Sequence, residues 1–364
     1  MTRISSAAGA SRCNTVIAVA DGLTATGAAS VISGRAAVAS VPVTHAMVSA
    51  RSLSHVTGRG LLGELSTRRC PICGSADDRN VFASQRLDLA ALDQYAFASR
   101  KRPEHMRLRL VTCPQCDLVY ANPVPAPKAL ARAYESAAFD SAVEARFAAA
   151  TYIQALGAVL DTLPDRDGAL DIGTGEGAFL GELLDVGFTG VGGIEPSAEP
   201  VAAADPRVAS LIRQSVFDAG VRPPESLSLV TCFQTIEHVP DPMVLVREAA
   251  ALLKPGGVLA LVCHNRRSPV NRALGLRSPI VDVEHQQLFS PKSVDWLLQS
   301  VGLVGVQHRP IANTYPLRYW TRLLPLPRRV GEGLDGGLQR VGVADRAIRL
   351  RVGNLLAWGT RPLR

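Results

Sequence analysis

Leu170-Asp171-Ile172-Gly173-Thr174-Gly175-Glu176-Gly177 decides how this chain is read. A short apolar run over 169–172 carries a carboxylate near its end. Glycines then recur at alternate positions, and a helix-forming run, 178–186, follows at once. Glycines placed this way let a strand turn sharply into a helix and let the backbone come close to a ligand. Glu195 ends the next apolar run, 191–194, about twenty residues on, where an acid can grip ribose hydroxyls.

Taken alone, the loop leaves two ligands open. Gly173, Gly175 and Ala178 also satisfy the loose dinucleotide pattern of a dehydrogenase. Asp171 separates the two. Two residues before the first glycine, its carboxylate would repel a pyrophosphate and would suit a ligand with a cationic amino-acid end.

Outward from the loop the pattern predicts alternating strands and helices. Strands are expected at 169–172, 191–194, 208–212, 228–233, 258–263, 303–308 and 354–359. Helices are expected at 178–186, 198–204, 242–253 and 290–301, with 312–350 as an insertion before the last strand. That alternation belongs to a parallel sheet covered by helices. Ahead of it, 126–162 reads as helical, and Pro164 with 165–168 makes a turn.

Four segments in order then carry a resemblance: Asp171-Ile172-Gly173-Thr174-Gly175-Glu176-Gly177, Ile194-Glu195-Pro196-Ser197, Thr235-Ile236-Glu237-His238-Val239-Pro240-Asp241-Pro242 and Leu253-Lys254-Pro255-Gly256-Gly257. Over about 130–310 the chain resembles the class I S-adenosylmethionine-dependent methyltransferases. The resemblance implies a Rossmann-like α/β fold with a seven-stranded sheet of order 3-2-1-4-5-7-6, the seventh strand antiparallel. Ligand then lies at the carboxyl ends of the strands. It further implies that Asp171, Gly173 and Gly175 contact the methionine portion of the cofactor and that Glu195 binds the ribose. Gln234 would line the pocket beside the sulfonium. Asp218 would meet the adenine amine, although a turn-forming aspartate before Ala219-Gly220 is an equal reading.

An acid or base is needed only where the acceptor must lose a proton. The candidates are Glu237, His238, His264 and His285. His238 follows the fourth strand and comes first, because an imidazole's ordinary pKa near ~6.5 suits a base at neutral pH. His285, in Glu284-His285-Gln286-Gln287-Leu288-Phe289-Ser290, comes second. For each histidine, a hydrogen bond to a neighbouring loop is the competing structural reading.

Four of the seven cysteines form two pairs, Cys70/Cys73 and Cys113/Cys116. Paired Cys-x-x-Cys in a long chain without an export signal reads as zinc ligation more readily than as disulfides. Four thiolates make a closed structural site that does no catalysis. The expected organisation is therefore a disordered or mis-annotated leader over 1–66, with Met47 a plausible later start. A small N-terminal zinc-binding module follows over 67–125, then the methyltransferase domain over 126–311. The C-terminal insertion and last strand occupy 312–364.

The 364 residues are 47% hydrophobic and 20% charged, enough for a large core and against wholesale disorder. The net charge of +7 is concentrated at the C-terminus, where Arg318, Arg322, Arg328, Arg329, Arg340, Arg346, Arg349 and Arg351 face only Glu332, Asp335 and Asp345. Sheet cover is the first reading of this segment, a lid over the acceptor the second, and peripheral membrane contact the third. No apolar stretch of ~20 residues suggests a transmembrane helix, and a cytoplasmic location is expected. The leading function is methyl transfer to a small-molecule acceptor such as a sugar, glycolipid or other biosynthetic intermediate. An RNA methyltransferase is the alternative, although no aromatic-plus-basic stacking motif supports a nucleic-acid partner. A zinc-dependent binding protein with an inactive methyltransferase fold is the third reading, and Asp171, the glycines and Glu195 speak against it.

Overall fold

The apolar runs around the glycine loop become the centre of a sheet in the computed structural model, which describes residues 65–88, 97, 103–135, 142–324 and 326–363. The chain opens with short strands β1 (Leu65–Ser66), β2 (Val81–Ala83), β3 (Leu110–Thr112), β4 (Val119–Ala121) and β5 (Val124–Pro125). Helices α1 (Pro127–Glu135) and α2 (Ala142–Leu160) follow. Alternation then begins with β6 (Asp167–Ile172), α3 (Ala178–Asp185), β7 (Thr189–Glu195), α4 (Ala198–Ala202), α5 (Pro206–Ala209) and β8 (Ile212–Gln214). It continues with β9 (Leu227–Phe233), α6 (Pro242–Leu252), β10 (Leu253–His264), α7 (Pro269–Leu274), β11 (Gln287–Leu288) and α8 (Pro291–Ser300). The C-terminal part is β12 (Val304–Pro316), α9 (Leu317–Arg322), α10 (Arg328–Arg340) and β13 (Ala347–Thr360).

Seven strands form one sheet in the order β12-β13-β10-β9-β6-β7-β8. Counted from β6, that is 3-2-1-4-5-7-6 read from the β8 edge, as the resemblance implies. β13 runs antiparallel to both β10 and β12, and β6, β7, β8, β9 and β10 pair in parallel. All seven residues of β9 are buried, because helices cover both faces of a parallel sheet. Side chains alternate between those faces. Ala169, Leu229, Val258, Ala260 and Val262 join one hydrophobic cluster, and Leu170, Val230, Leu259 and Leu261 join the other.

The cysteine region is built into this core. Cys70, Ile72, Val111, Cys113, Cys116, Leu118 and Tyr120 belong to the same cluster as Leu170, Val230 and Leu261. β2, β3 and β4 form a small antiparallel sheet whose fourth strand is β11, with Gln287 opposite Tyr120 and Leu288 opposite Val119. Arg68 fastens the same junction. Its guanidinium donates to the carbonyls of Ala121, Pro240 and Gln286.

Three expectations change. The strand expected at 208–212 is instead the short helix α5 followed by β8. Asp205 caps the helix by accepting from the Arg207 N–H at 2.9 Å, and Pro206 takes the first helical position, which its fixed φ favours. The last two strands are far longer than expected, since β12 and β13 form an antiparallel ribbon from Val304/Thr360 to Pro316/Ala347. Along its outer part Arg309, Arg349 and Arg351 are exposed while Ile311, Tyr315 and Pro316 are buried, and the insertion shrinks to about 317–346. Leu65 and Ser66, assigned above to a leader, pair with Pro125 and Val124. The rest of 1–66 lies outside the described residues, as does nearly all of 88–102, whose sequence predicts a partly helical insert between the two cysteine pairs.

Candidate functional site

The glycine loop leaves the carboxyl end of β6 at the centre of the sheet. Gly173 and Gly175 have φ of 77° and 59°, a region that costs other residues energy. A Cβ on Gly173 would stand 2.2 Å from Thr235 Oγ1 and 2.9 Å from Thr235 Cβ, whereas one on Gly175 would meet nothing within 4 Å. The first glycine lets two strand ends approach each other, and the second leaves an open cradle. Gly173→Ala is therefore expected to cost about 1–3 kcal/mol by strain and overpacking together. Gly187→Ala shares the positive φ (88°) but has open space around it, so it should cost only the strain. Urea midpoints measured at unchanged m-value would compare the two, and equal losses would refute the packing account.

Two carboxylates flank the loop. Asp171 is 3% exposed, and its Oδ1 accepts from the Thr231 hydroxyl at 2.6 Å. Burial pushes its carboxyl up to about 6, with the charge of Glu195 adding to the effect. Glu195, at the end of β7, accepts from the Gly175 N–H through Oε2 and from the Ser197 N–H through Oε1, each at 2.9 Å. Burial also raises its carboxyl above the ordinary range. The acid thus holds the glycine loop in shape. Both residues border a cavity of about 880 Å³ that also takes in Gly173, Gly175 and Gln234. Gln234 has φ 54°, and its buried Nε2 finds no partner among the described residues.

Asp218 stands apart. It is exposed, does not border the cavity, and caps a turn by accepting from the Gly220 N–H at 2.8 Å. This is the turn-forming arrangement weighed above.

Three histidines meet at one side of the same cavity. The rings of His238 and His285 lie 4.8 Å apart, and those of His264 and His285 lie 5.3 Å apart. His238 Nδ1 sits 3.1 Å from the Tyr134 hydroxyl and 3.2 Å from the Glu284 carbonyl, to which Tyr134 itself donates at 2.7 Å. His285 Nδ1 lies 3.0 Å from the Ile280 carbonyl. A carbonyl only accepts, so both rings carry the Nδ1 proton by this geometry and Nε2 is the basic nitrogen. His264 is different. Burial lowers it to about 4, so it is neutral, and its Nδ1 meets Asn354 Oδ1 at 2.9 Å.

Glu237 lies behind this group rather than in the cavity wall. Its Oε1 accepts from the His264 N–H at 2.6 Å, and its carbonyl accepts from Gln286 N–H at 2.8 Å. It ties together the three loops that bear the histidines. Full burial pushes its carboxyl up to about 7.

Much of the remaining wall is apolar. Tyr152 and Phe179 contribute from α2 and α3, Leu130 and Tyr134 from α1, and Tyr315, Tyr319, Trp320, Leu323 and Leu324 from the C-terminal segment. Sequence reading passed over Tyr134, because nothing local to it marks a ligand, whereas the C-terminal aromatics belong to the segment for which a lid over the acceptor was the second reading.

The four cysteine sulfurs form a second, separate group, all within 4.8 Å of one another. Cys70 and Cys116 approach to 3.5 Å, and Cys73 and Cys113 to 3.3 Å, well beyond the ~2.05 Å of a disulfide. The two turns are alike. Gly74 N–H donates to the Cys70 carbonyl and Asp117 N–H to the Cys113 carbonyl, and both residues have positive φ. Asp117 holds this strained position with help from Arg266 and Arg267.

Residues 144–308 match the family described as "Methyltransferase domain". A "Ubiquinone biosynthesis O-methyltransferase" of Vibrio atlanticus is 29% identical over 168 residues, covering 41% of this chain and 70% of that enzyme. The enzyme of the same description from Klebsiella pneumoniae is 27% identical over 171 residues, covering 41% and 68%. Among solved structures, a Thermotoga maritima chain described as a SAM-dependent methyltransferase and possible histamine N-methyltransferase has a TM-score of 0.40 at 21% identity, covering 61% of this chain and 92% of that one. Haemonchus contortus phosphoethanolamine N-methyltransferase 2, solved with S-adenosyl-L-methionine, has a TM-score of 0.37 at 19% identity, covering 57% and 52%.

Proposed function

We propose that this chain, an S-adenosylmethionine-dependent methyltransferase, methylates an oxygen of a small and largely apolar acceptor. The observation that carries the reading is the joining, in one cavity, of the two strand-end carboxylates with an apolar wall and a group of histidines. The residues fit the cofactor. The cradle at Gly175 is open, Gln234 Nε2 lacks a partner among the described residues, and the carboxylates suit a ligand that is cationic at one end and carries a diol. Asp171 and the glycine backbone would hold the methionine end, Glu195 the ribose, and Gln234 the region beside the sulfonium.

The bound cofactor supplies a methyl group already activated on a positively charged sulfur. The chain's own task is to align the acceptor and exclude water, and alignment alone can be worth ~7–11 kcal/mol. His238, anchored through Nδ1 by Tyr134 and Glu284, would take the acceptor's proton at Nε2. His285, stacked beside it, would share that role or hold the acceptor oxygen. Tyr319, Trp320 and Leu323 would close the apolar part over the acceptor's body. The oxygen acceptor also accords with the described O-methyltransferase relatives, and the apolar wall favours an apolar intermediate over RNA.

The cysteine group would hold one structural Zn²⁺. Four sulfurs ~2.3 Å from a tetrahedral zinc lie roughly 3.8 Å apart, and the separations found here bracket that value. The site is closed by four thiols and lies outside the cavity wall, so its contribution is to the fold.

Incubation of the zinc-loaded protein with methyl-labelled cofactor and fractionated cell extract tests the reading. Label is expected in the organic-soluble small-molecule fraction. Label recovered in RNA would overturn it.

A further inference from the structure

α1 buries Ala129, Leu130 and Ala133. Tyr134 stands four residues on from Leu130, on the same side of the helix, and both border the cavity. Tyr134 is held from two directions. Its backbone carbonyl accepts from the Ser197 hydroxyl at 2.9 Å, and the Ser197 N–H in turn donates to Glu195 Oε1, also at 2.9 Å. That end belongs to the cofactor side of the cavity. The hydroxyl reaches the histidine side, where it donates to the Glu284 carbonyl at 2.7 Å and lies 3.1 Å from His238 Nδ1. Between the two ends the ring packs edge-on against Phe97 at 5.3 Å and against His238 at 5.6 Å.

A phenol has one proton to give. With that proton on the Glu284 carbonyl, the Tyr134 oxygen can only accept from His238. The Nδ1–H is therefore shared between this oxygen and the Glu284 carbonyl, which is 3.2 Å from Nδ1. Burial, with the charges of Glu284 and Glu237 adding to it, raises the Tyr134 hydroxyl well above the ordinary tyrosine range. The group thus stays a neutral phenol wherever an imidazole titrates.

We propose that Tyr134 is a positioning residue that fixes the His238 ring relative to the cofactor and makes it a stronger base. The inference rests on His238 as the base and adds what aims it. An Nδ1–H donates more strongly once Nε2 has taken a proton and the ring is charged, so an acceptor at Nδ1 favours the protonated form. The bond to Ser197 ties the same residue to the ribose end, so cofactor and base share one support and the alignment is built in. Glu237 beside His238 in the chain, Glu284 and His285 ahead of β11, and His264 at the end of β10 also face this ring or its neighbours. Loss of the Tyr134 hydroxyl leaves all four in place.

Tyr134→Phe tests this, because it removes the hydroxyl and keeps the ring. The rate of methyl transfer from labelled cofactor into the organic-soluble fraction of cell extract is followed from about pH 5 to 9. Saturating cofactor keeps the ionisation of Asp171 out of the profile. The plateau is expected to fall about tenfold, part of the ~10²–10⁴ that a general base supplies. The acid limb, where the base takes up a proton, should move to lower pH by about half a unit or more, since the charged ring loses an acceptor. Cofactor affinity by calorimetry should be unchanged, which also shows that the variant is folded. The proposal is overturned if the acid limb stays where it is, or if the rate falls only through weaker cofactor binding. His238→Gln separates this from failure of the base itself. A full rate in His238→Gln overturns both, whereas a slow His238→Gln with an unmoved limb in Tyr134→Phe removes Tyr134 alone.

Discussion

Asp171→Ala is expected to weaken cofactor binding by about 30- to several-thousand-fold, the equivalent of ~2–5 kcal/mol for removing one partner of a buried charge pair. The size follows from the position of the carboxylate. It is buried, it receives one hydroxyl hydrogen bond from Thr231, and burial already raises it to about 6. A cationic ligand end would relieve that cost, so ligand and carboxylate charge should be linked. In the empty protein the folded state holds the Asp171 proton more tightly than the unfolded chain does. Stability from this group therefore declines as pH rises from about 4 to about 6 and is level above that. The ligand reverses the preference, since it favours the ionised form. Cofactor affinity should accordingly be constant above about pH 6 and fall below it.

Asp171→Asn sharpens this test. The amide keeps an oxygen to accept from Thr231 but carries no charge. It should lose the pH dependence of binding, bind weakly, and be as stable as or more stable than the wild type when empty at neutral pH. Titration calorimetry across pH 5–8 with thermal melts would measure all three. An Asn variant that bound the cofactor as tightly as the wild type would remove Asp171 from the binding machinery.

The second large effect is expected at Cys113→Ser. Structural zinc contributes ~10–16 kcal/mol in small finger peptides, and loss of a metal is among the few single changes that cost a domain more than ~4–5 kcal/mol. Here Cys70, Cys113 and Cys116 sit in the main core cluster, so the loss cannot stay local. The variant should contain no zinc by elemental analysis, against one per chain in the wild type. Its melting temperature should drop by about ten degrees or more. A second consequence follows from β4. It pairs with β11, two residues beyond His285, and Gln286 N–H bonds to the Glu237 carbonyl. Zinc loss should then disturb the histidine group and lower turnover under conditions where the variant is still folded. Wild-type protein free of zinc, with an unchanged melt, would rule out the metal's structural role.

Much of the site is legible in the sequence because its parts are local. The glycine loop must reach positive φ at fixed spacing, and a glycine is the residue that does so without cost. The acids at strand ends and the Cys-x-x-Cys turns are likewise set by a few consecutive residues. Asp218 shows the limit. Its distance from the loop fits a family position, yet the side chain turns back to its own backbone and stays outside the cavity.

The sequence by itself determined the strand–helix alternation, the glycine loop with its two acids, and the pairing of the cysteines. Each is written in residues close together along the chain. Only the tertiary structure decided that Tyr134 and His238, 104 positions apart, share a hydrogen bond, and that His238, His264 and His285 meet at one wall. It also decided that the cysteine region borrows a strand from the catalytic region. The extended β12–β13 ribbon is likewise a tertiary result: Ile348, Leu350 and Val352 alternate with Arg349 and Arg351 as in a strand, but their partners lie far back along the chain, and Ile311 and Tyr315 are buried in the cluster against which Ile348 and Val352 pack.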